Sequence, residues 1–234
     1  MIILKKEKIL FYISTIFISI LFYSLTNHTI TTKEVSSIPV SNHTIVIDAG
    51  HGLPDGGATD KENNLESDLN LKIALKLQKI LEASNCTVLL TRSDENGIYE
   101  ESATTIKEKK VSDMKNRVNI ANTLNSEIFV SIHMNKTTDN SSGWQTFYKT
   151  DCENSRRLAL SIQNNLNYSI QKENKREIKN INNIYLSKHV TTPFVLVECG
   201  FLSNTNEAIM LQENTYQEKI AWGIYTGIMD YFSE

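Results

Sequence analysis

Ile45-Val46-Ile47-Asp48-Ala49-Gly50-His51-Gly52 joins a continuous β-branched run to an abrupt glycine stop. An unbroken apolar run of this kind suits a strand buried on both faces, as a parallel sheet requires. A histidine between two glycines, just past the end of such a strand, stands where open α/β sheets gather their ligands. The glycines allow tight turns and leave His51 little else to pack against.

Working outward, three more apolar runs read as strands: Cys86–Thr91 (CTVLLT), Glu127–His133 (EIFVSIH) and Phe194–Val197 (FVLV). The second ends in a histidine followed by Asn135, and the third runs straight into Glu198. A carboxylate at the end of an apolar strand is costly unless it is paired or working. Helical spacing links Leu65, Leu69, Ile73, Leu77 and Leu81, with Lys72, Lys76 and Lys79 on the opposite side. Glu66 stands in the first turn of that helix, where the helix dipole alone would favour a carboxylate; Asn63 or Asn64 is the expected cap. Further helices are expected over Val111–Leu124, Cys152–Asn167, Asn204–Leu211 and Tyr216–Phe232. Gly143–Tyr148 (GWQTFY) alternates like a strand, and Ile184–Leu186 reads as a short one. Leu53–Asn64, Arg92–Lys110 and Gln171–Asn183 read as loops, the second a long charged excursion flanking the site. Strands alternating with helices place the chain in the α/β class.

A formal net charge of -3 over 234 residues gives no electrostatic reason to expect nucleic acid as a partner. Cys86, Cys152 and Cys199 lack any C-x-x-C spacing, so no thiolate zinc site is expected. Lys5, Lys6 and Lys8 precede an uncharged apolar run from Ile9 to Leu25, the pattern of a signal peptide or membrane anchor over residues 1–26. Basic residues ahead of that run direct the downstream chain outward, so export across the cytoplasmic membrane is expected. Residues 27–42 read as a linker and 43–234 as one catalytic domain.

His51, Glu66, His133 and Glu198 form a set drawn from distant parts of the chain. Two imidazoles and a carboxylate make a three-ligand zinc site with room for a water. A second carboxylate beside it would take a proton from that water and pass it to a leaving amine. Residue chemistry alone leaves open which glutamate ligates and which carries the proton.

IDAGHG, the Glu66 of NNLESDLNL, SIHMN and VECGFLSN resemble the motifs of zinc-dependent N-acetylmuramoyl-L-alanine amidases of the bacterial cell wall, with LLTRSDE, NRVNIAN and GWQTFY adding to the match. The likeness spans nearly all of Thr44 to Phe232 and is strongest to the germination-specific, spore-cortex members. It implies a single α/β domain with a mostly parallel sheet of about six strands and helices on both faces. It implies Zn²⁺ on His51, Glu66 and His133, and Glu198 as the catalytic glutamate. The implied reaction cleaves the amide between N-acetylmuramic acid and L-alanine in peptidoglycan, a step toward the muramic δ-lactam that marks the cortex at germination. Asn135 and Lys136 are placed along the substrate groove. Leu53-Pro54 after His51-Gly52, and Met134 and Lys136 around Asn135, depart from the family pattern and bear on substrate preference. No wall-binding repeat is visible, so an accessory protein docking on the catalytic domain is expected. Two rival readings stand beside this one. A catalytically silent, membrane-tethered peptidoglycan-binding module would not need Glu198. A zinc peptidase acting within the stem would show a motif such as H-E-x-x-H, which is missing here.

Overall fold

The computed structural model describes residues 42–233 and, ahead of them, Thr15, Ile16 and Ser19. Those three are helical and exposed, with the Ser19 hydroxyl donating to the Thr15 carbonyl at 2.8 Å. The signal or anchor expected over residues 1–26 and the linker over 27–42 otherwise lie outside the described residues. Among the described residues no helix is long and apolar enough to cross a membrane.

The main unit alternates strands and helices: β1 (Thr44–Ala49), α1 (Glu66–Ala83), β2 (Thr87–Leu90), α2 (Ile106–Thr123), β3 (Ile128–Asn135), β4 (Gln145–Lys149), α3 (Glu153–Ile170), β5 (Lys179–Ile181), α4 (Tyr185–His189), β6 (Phe194–Phe201), α5 (Thr205–Gln212) and α6 (Asn214–Ser233). One six-stranded sheet forms in the order β2-β1-β3-β6-β4-β5. β2, β1, β3 and β6 run parallel, β4 is antiparallel to β6, and β5 is parallel to β4. The carboxyl ends of β1, β3 and β6 therefore share one edge.

β1 is buried on both faces because alternate residues serve two cores. Ile45 and Ile47 pack with Leu69, Ile73 and Leu77 of α1, Leu158 and Ile162 of α3, and Ile220 and Ile224 of α6. Val46 faces the other way, with Phe129, Phe194, Ala121 of α2 and Leu186 of α4. Helices thus cover both faces. Trp144 is fully buried and its indole N–H donates to Asn167 Oδ1 at 2.8 Å, so this part of GWQTFY is core. Cys199 is fully buried, and none of the three cysteines is in a disulfide.

Several local expectations change. α1 is not capped by Asn63 or Asn64; its N-cap is Leu65, without a side-chain bond. The first-turn N–H groups of Glu66 and Ser67 donate to the Ala58 and Gly56 carbonyls at 2.9 and 3.1 Å. With those orphan donors satisfied by loop backbone, no side-chain cap is needed. Asn64 instead binds Asp60 through both its backbone and side-chain N–H groups. α2 begins five residues before Val111, inside the expected loop. Thr105 and Glu108 form a capping box there, with Thr105 Oγ1 accepting from Glu108 N–H at 3.2 Å. β5 lies at Lys179–Ile181, in the polar stretch read as loop, while Tyr185–His189 is a short helix, not a strand.

Candidate metal centre

Three ligand-capable side chains meet at the shared carboxyl edge. His51 follows β1, Glu66 opens α1, and His133 lies near the end of β3. His51 Nε2 is 3.3 Å from Glu66 Oε1, and His133 Nδ1 is 2.9 Å from the same oxygen. One donor atom from each residue lies within 4.8 Å of the others. The two imidazoles stand edge to face with centroids 5.0 Å apart.

Backbone geometry sets this meeting. His51 sits at φ 60°, a left-handed conformation that few side-chain-bearing residues adopt unforced. Two arginines supply the force. Arg92 donates through Nε to the Ala49 carbonyl at 2.9 Å, and through Nη2 to the Gly50 and Ser67 carbonyls at 3.0 and 2.8 Å. Arg117 donates through Nη1 to the Ala49 carbonyl at 2.8 Å and through Nη2 to the His51 carbonyl. Asn70 adds a bond to the Gly50 carbonyl at 3.0 Å. Beneath them Asp48, fully buried, accepts from Arg117, Ser131 and Thr91. Burial pushes the Asp48 carboxyl up, but the Arg117 guanidinium and the two hydroxyls outweigh it and hold it below the usual range.

Glu66 is held by the loop before it and the strand beside it. Its Oε2 accepts from Ala58 N–H at 2.8 Å and its Oε1 from Met134 N–H at 3.1 Å. At Gly57, φ 71°, a Cβ would come within 2.6 Å of Glu66 Oε2 and 2.7 Å of the His51 ring, so the site needs glycine there. Burial raises the Glu66 carboxyl, but bonds to His133 and His51 carry it well below the carboxylate range. Burial lowers His51, yet bonds to Asp55 and Glu66 lift it to about 9 in the absence of an ion. Two imidazoles and an ionised carboxylate form the donor set that Zn²⁺ accepts without thiolate.

Glu198 is the register partner of His133 on one side and of Gln145 on the other. Its Oε2 is buried without a hydrogen-bond partner. Burial, aided by the nearby Glu66 charge and opposed by the two histidines, pushes its carboxyl up to about 7. The same edge is closed by Glu207, whose carboxylate accepts from Gly143 N–H at 2.7 Å and Phe201 N–H at 2.9 Å.

A family model described as N-acetylmuramoyl-L-alanine amidase matches residues 45–230. The chain belongs to that family. The amidase is similar to the germination-specific N-acetylmuramoyl-L-alanine amidase of Bacillus subtilis (strain 168), 36% identical over 199 residues that cover 85% of this chain and 83% of that one. Among solved structures it is similar to the CwlD amidase from Clostridioides difficile in complex with the GerS lipoprotein, at 45% identity and TM-score 0.80, over 82% of this chain and 99% of that one. It is also similar to the N-acetylmuramoyl-L-alanine amidase from Clostridium difficile 630, at 28% identity and TM-score 0.73, over 83% of this chain and 99% of that one. These likenesses make it a peptidoglycan amidase similar to the germination-specific type.

The amidase brings His51, Glu66 and His133 together, with Glu198 beside His133 in the sheet. Asn135 ends β3, its carbonyl accepting from Leu202 N–H at 2.8 Å. Lys136 reaches back to donate to the Thr59 carbonyl at 2.8 Å, tying the loop before α1 to the end of β3. Met134 is buried in the core, so its size bears on packing. Sequence reasoning gave no roles to Arg92, Arg117, Asp55 or Glu207. The first two lie in LLTRSDE and NRVNIAN, and an arginine directly after an apolar strand was the available signal.

Proposed function

We propose that this amidase is zinc-dependent, with His51, Glu66 and His133 holding the ion and Glu198 handling the proton. The carrying observation is the opposite tuning of two carboxylates. Glu66 accepts two backbone N–H bonds and has both imidazoles against Oε1, while Glu198 Oε2 has no hydrogen-bond partner. An ionised Glu66 suits a ligand. A carboxyl with a buried oxygen left free of partners suits a group that must both accept and return a proton. When bound, Zn²⁺ supplies Lewis-acid polarisation of the scissile carbonyl and acidification of the attacking water.

Glu198 Oε2 then takes the water's proton as the new C–O bond forms. It returns that proton to the departing alanine nitrogen as the C–N bond breaks. Asp48, Arg92 and Arg117 hold the His51 loop still through this cycle, so that reacting groups keep their spacing. Asn135 and Lys136 border the groove that takes the stem peptide.

The bond cleaved joins the lactyl group of N-acetylmuramic acid to L-alanine. The setting is the spore cortex, where baring the muramic acid leads toward muramic δ-lactam and germination. Likeness to the germination-specific relative supports that setting. The lipoprotein partner of the similar CwlD amidase supports an accessory protein for this one. The apolar run at Ile9–Leu25 supports export, with the catalytic domain of residues 43–234 outside the cytoplasmic membrane. Metal content and mass analysis of digested cortex fragments test the whole reading. Stoichiometric Zn²⁺ with intact stems released is expected; shortened stems would mean a peptidase, and unchanged fragments a binding module.

A further inference from the structure

The His51 loop and α2 converge on one carboxylate. Asp55 Oδ2 lies 3.0 Å from His51 Nδ1 and 2.9 Å from Lys110 Nζ, and Asp55 Oδ1 accepts from Gly57 N–H at 3.4 Å. With an ammonium on the same oxygen Asp55 is an ionised acceptor, so His51 Nδ1 must carry the hydrogen. Nδ1 being the nitrogen that keeps its hydrogen, Nε2, the atom facing Glu66, is the one that offers a lone pair once an ion displaces its proton. His133 is oriented by other means. Its ring lies so close over Gly50 that a Cβ there would come within 2.3 Å of Nε2.

We infer that Asp55 is a positioning residue for the metal, acting through His51, and that Lys110 in turn acts through Asp55. The inference rests on the zinc reading of this site. It gives the charged excursion over 92–110 a purpose beyond covering the site. That segment is bound to the His51 loop: Leu53 N–H donates to the Glu95 carbonyl at 2.8 Å and Gly97 N–H to the Leu53 carbonyl at 2.9 Å. Ile98 N–H donates to Asp113 Oδ1 at 2.7 Å, and Lys109 Nζ sits 4.6 Å over the Tyr99 ring. The backbone bonds locate the loop, and Asp55 with Lys110 orients the imidazole on it. A carboxylate on the remote ring nitrogen also makes the ligating nitrogen more basic.

The test measures Zn²⁺ affinity by competition with a chromophoric chelator, and the visible spectrum after Co²⁺ loading, on the full chain. Asp55→Ala is expected to bind Zn²⁺ about 10- to 100-fold more weakly and to shift the Co²⁺ bands. Asp55→Glu should recover part of the loss. Lys110→Met should weaken binding less, and should add nothing once Asp55→Ala is present. Wild-type affinity and spectrum in Asp55→Ala would overturn the inference, and a further loss in the double variant would overturn the role of Lys110. His133→Ala separates the two readings. If it binds Zn²⁺ as the wild type does, the metal reading itself fails. If it loses the ion while Asp55→Ala keeps it, only the positioning role fails. Should Asp55→Ala not fold by circular dichroism, unchanged affinity in Lys110→Met decides against the inference.

Discussion

Asp48 and Glu198 are acidic residues on two strands of one sheet, and their surroundings are opposite. Asp48 receives Arg117, Ser131 and Thr91, and every oxygen is spoken for. Glu198 keeps one buried oxygen with no partner. Burial acts on both in the same sense, yet the first is held below the usual carboxylate range and the second rises to about 7. The difference teaches how to tell a structural acid from a working one. A saturated carboxylate stabilises the loop above it, whereas an unsaturated one is costly to keep unless it has a proton to carry.

That contrast breaks most sharply in Glu198→Gln. Amide hydrolysis should fall by about 10²- to 10⁴-fold, the range typical of a lost acid-base group, while Zn²⁺ content stays at the wild-type level and the protein stays folded. Activity within a factor of a few of wild type would remove the reason for treating Glu198 as the proton carrier.

Asp48→Asn should do the reverse. It leaves Arg117 buried without its principal counter-charge, and removing one partner of such a pair costs about 3–5 kcal/mol. Denaturant unfolding should show the loss directly. A fully stable variant would mean that Asp113, 2.6 Å from Arg117 Nε, suffices on its own.

pH sharpens the contrast further, in protein stripped of metal. Glu198 has a raised folded pKa, so its contribution is fully present below the unfolded value near 4.5. That contribution is lost as pH rises toward about 7, an effect on the order of 3 kcal/mol. Asp48 has a lowered folded pKa, so its contribution is present above the unfolded value near 3.8 and is lost as pH falls. In melts of wild type and Glu198→Gln, the difference in stability should change steadily as pH rises from about 4.5 to about 7. A constant difference would show that Glu198 does not titrate in that window.

The smallest effect is expected away from both acids. Thr105→Ala removes the N-cap of α2 and should cost about 1 kcal/mol, with no change in hydrolysis. A large loss of activity would mean that the start of α2 governs the site more strongly than Lys110 alone explains.

Much of the fold was legible because β1, β3 and β6 are apolar on both faces, and only a doubly covered parallel sheet accommodates such runs. The start of α2 was legible in principle, since T-x-x-E at Thr105–Glu108 is a capping box; its charged, weakly amphipathic first turns hid it. β5 was not, because Lys179–Ile181 is a short, polar edge strand held by its neighbour and by no pattern of its own.

For the site, residue types at strand ends determined the candidates: His51, His133 and Glu198 each stand where an apolar run stops or is about to. With no C-x-x-C spacing among the cysteines, nothing in the sequence pointed to a thiolate site. Only the tertiary structure decided which glutamate faces both imidazoles and which is left unpartnered, and that Asp55 and Lys110 stand behind His51. Hydrogen-bond saturation is the physical reason. It depends on which backbone and side-chain donors the folded chain brings to each oxygen, and donors 8, 67 and 68 residues away, as at Glu66, leave no trace in local spacing.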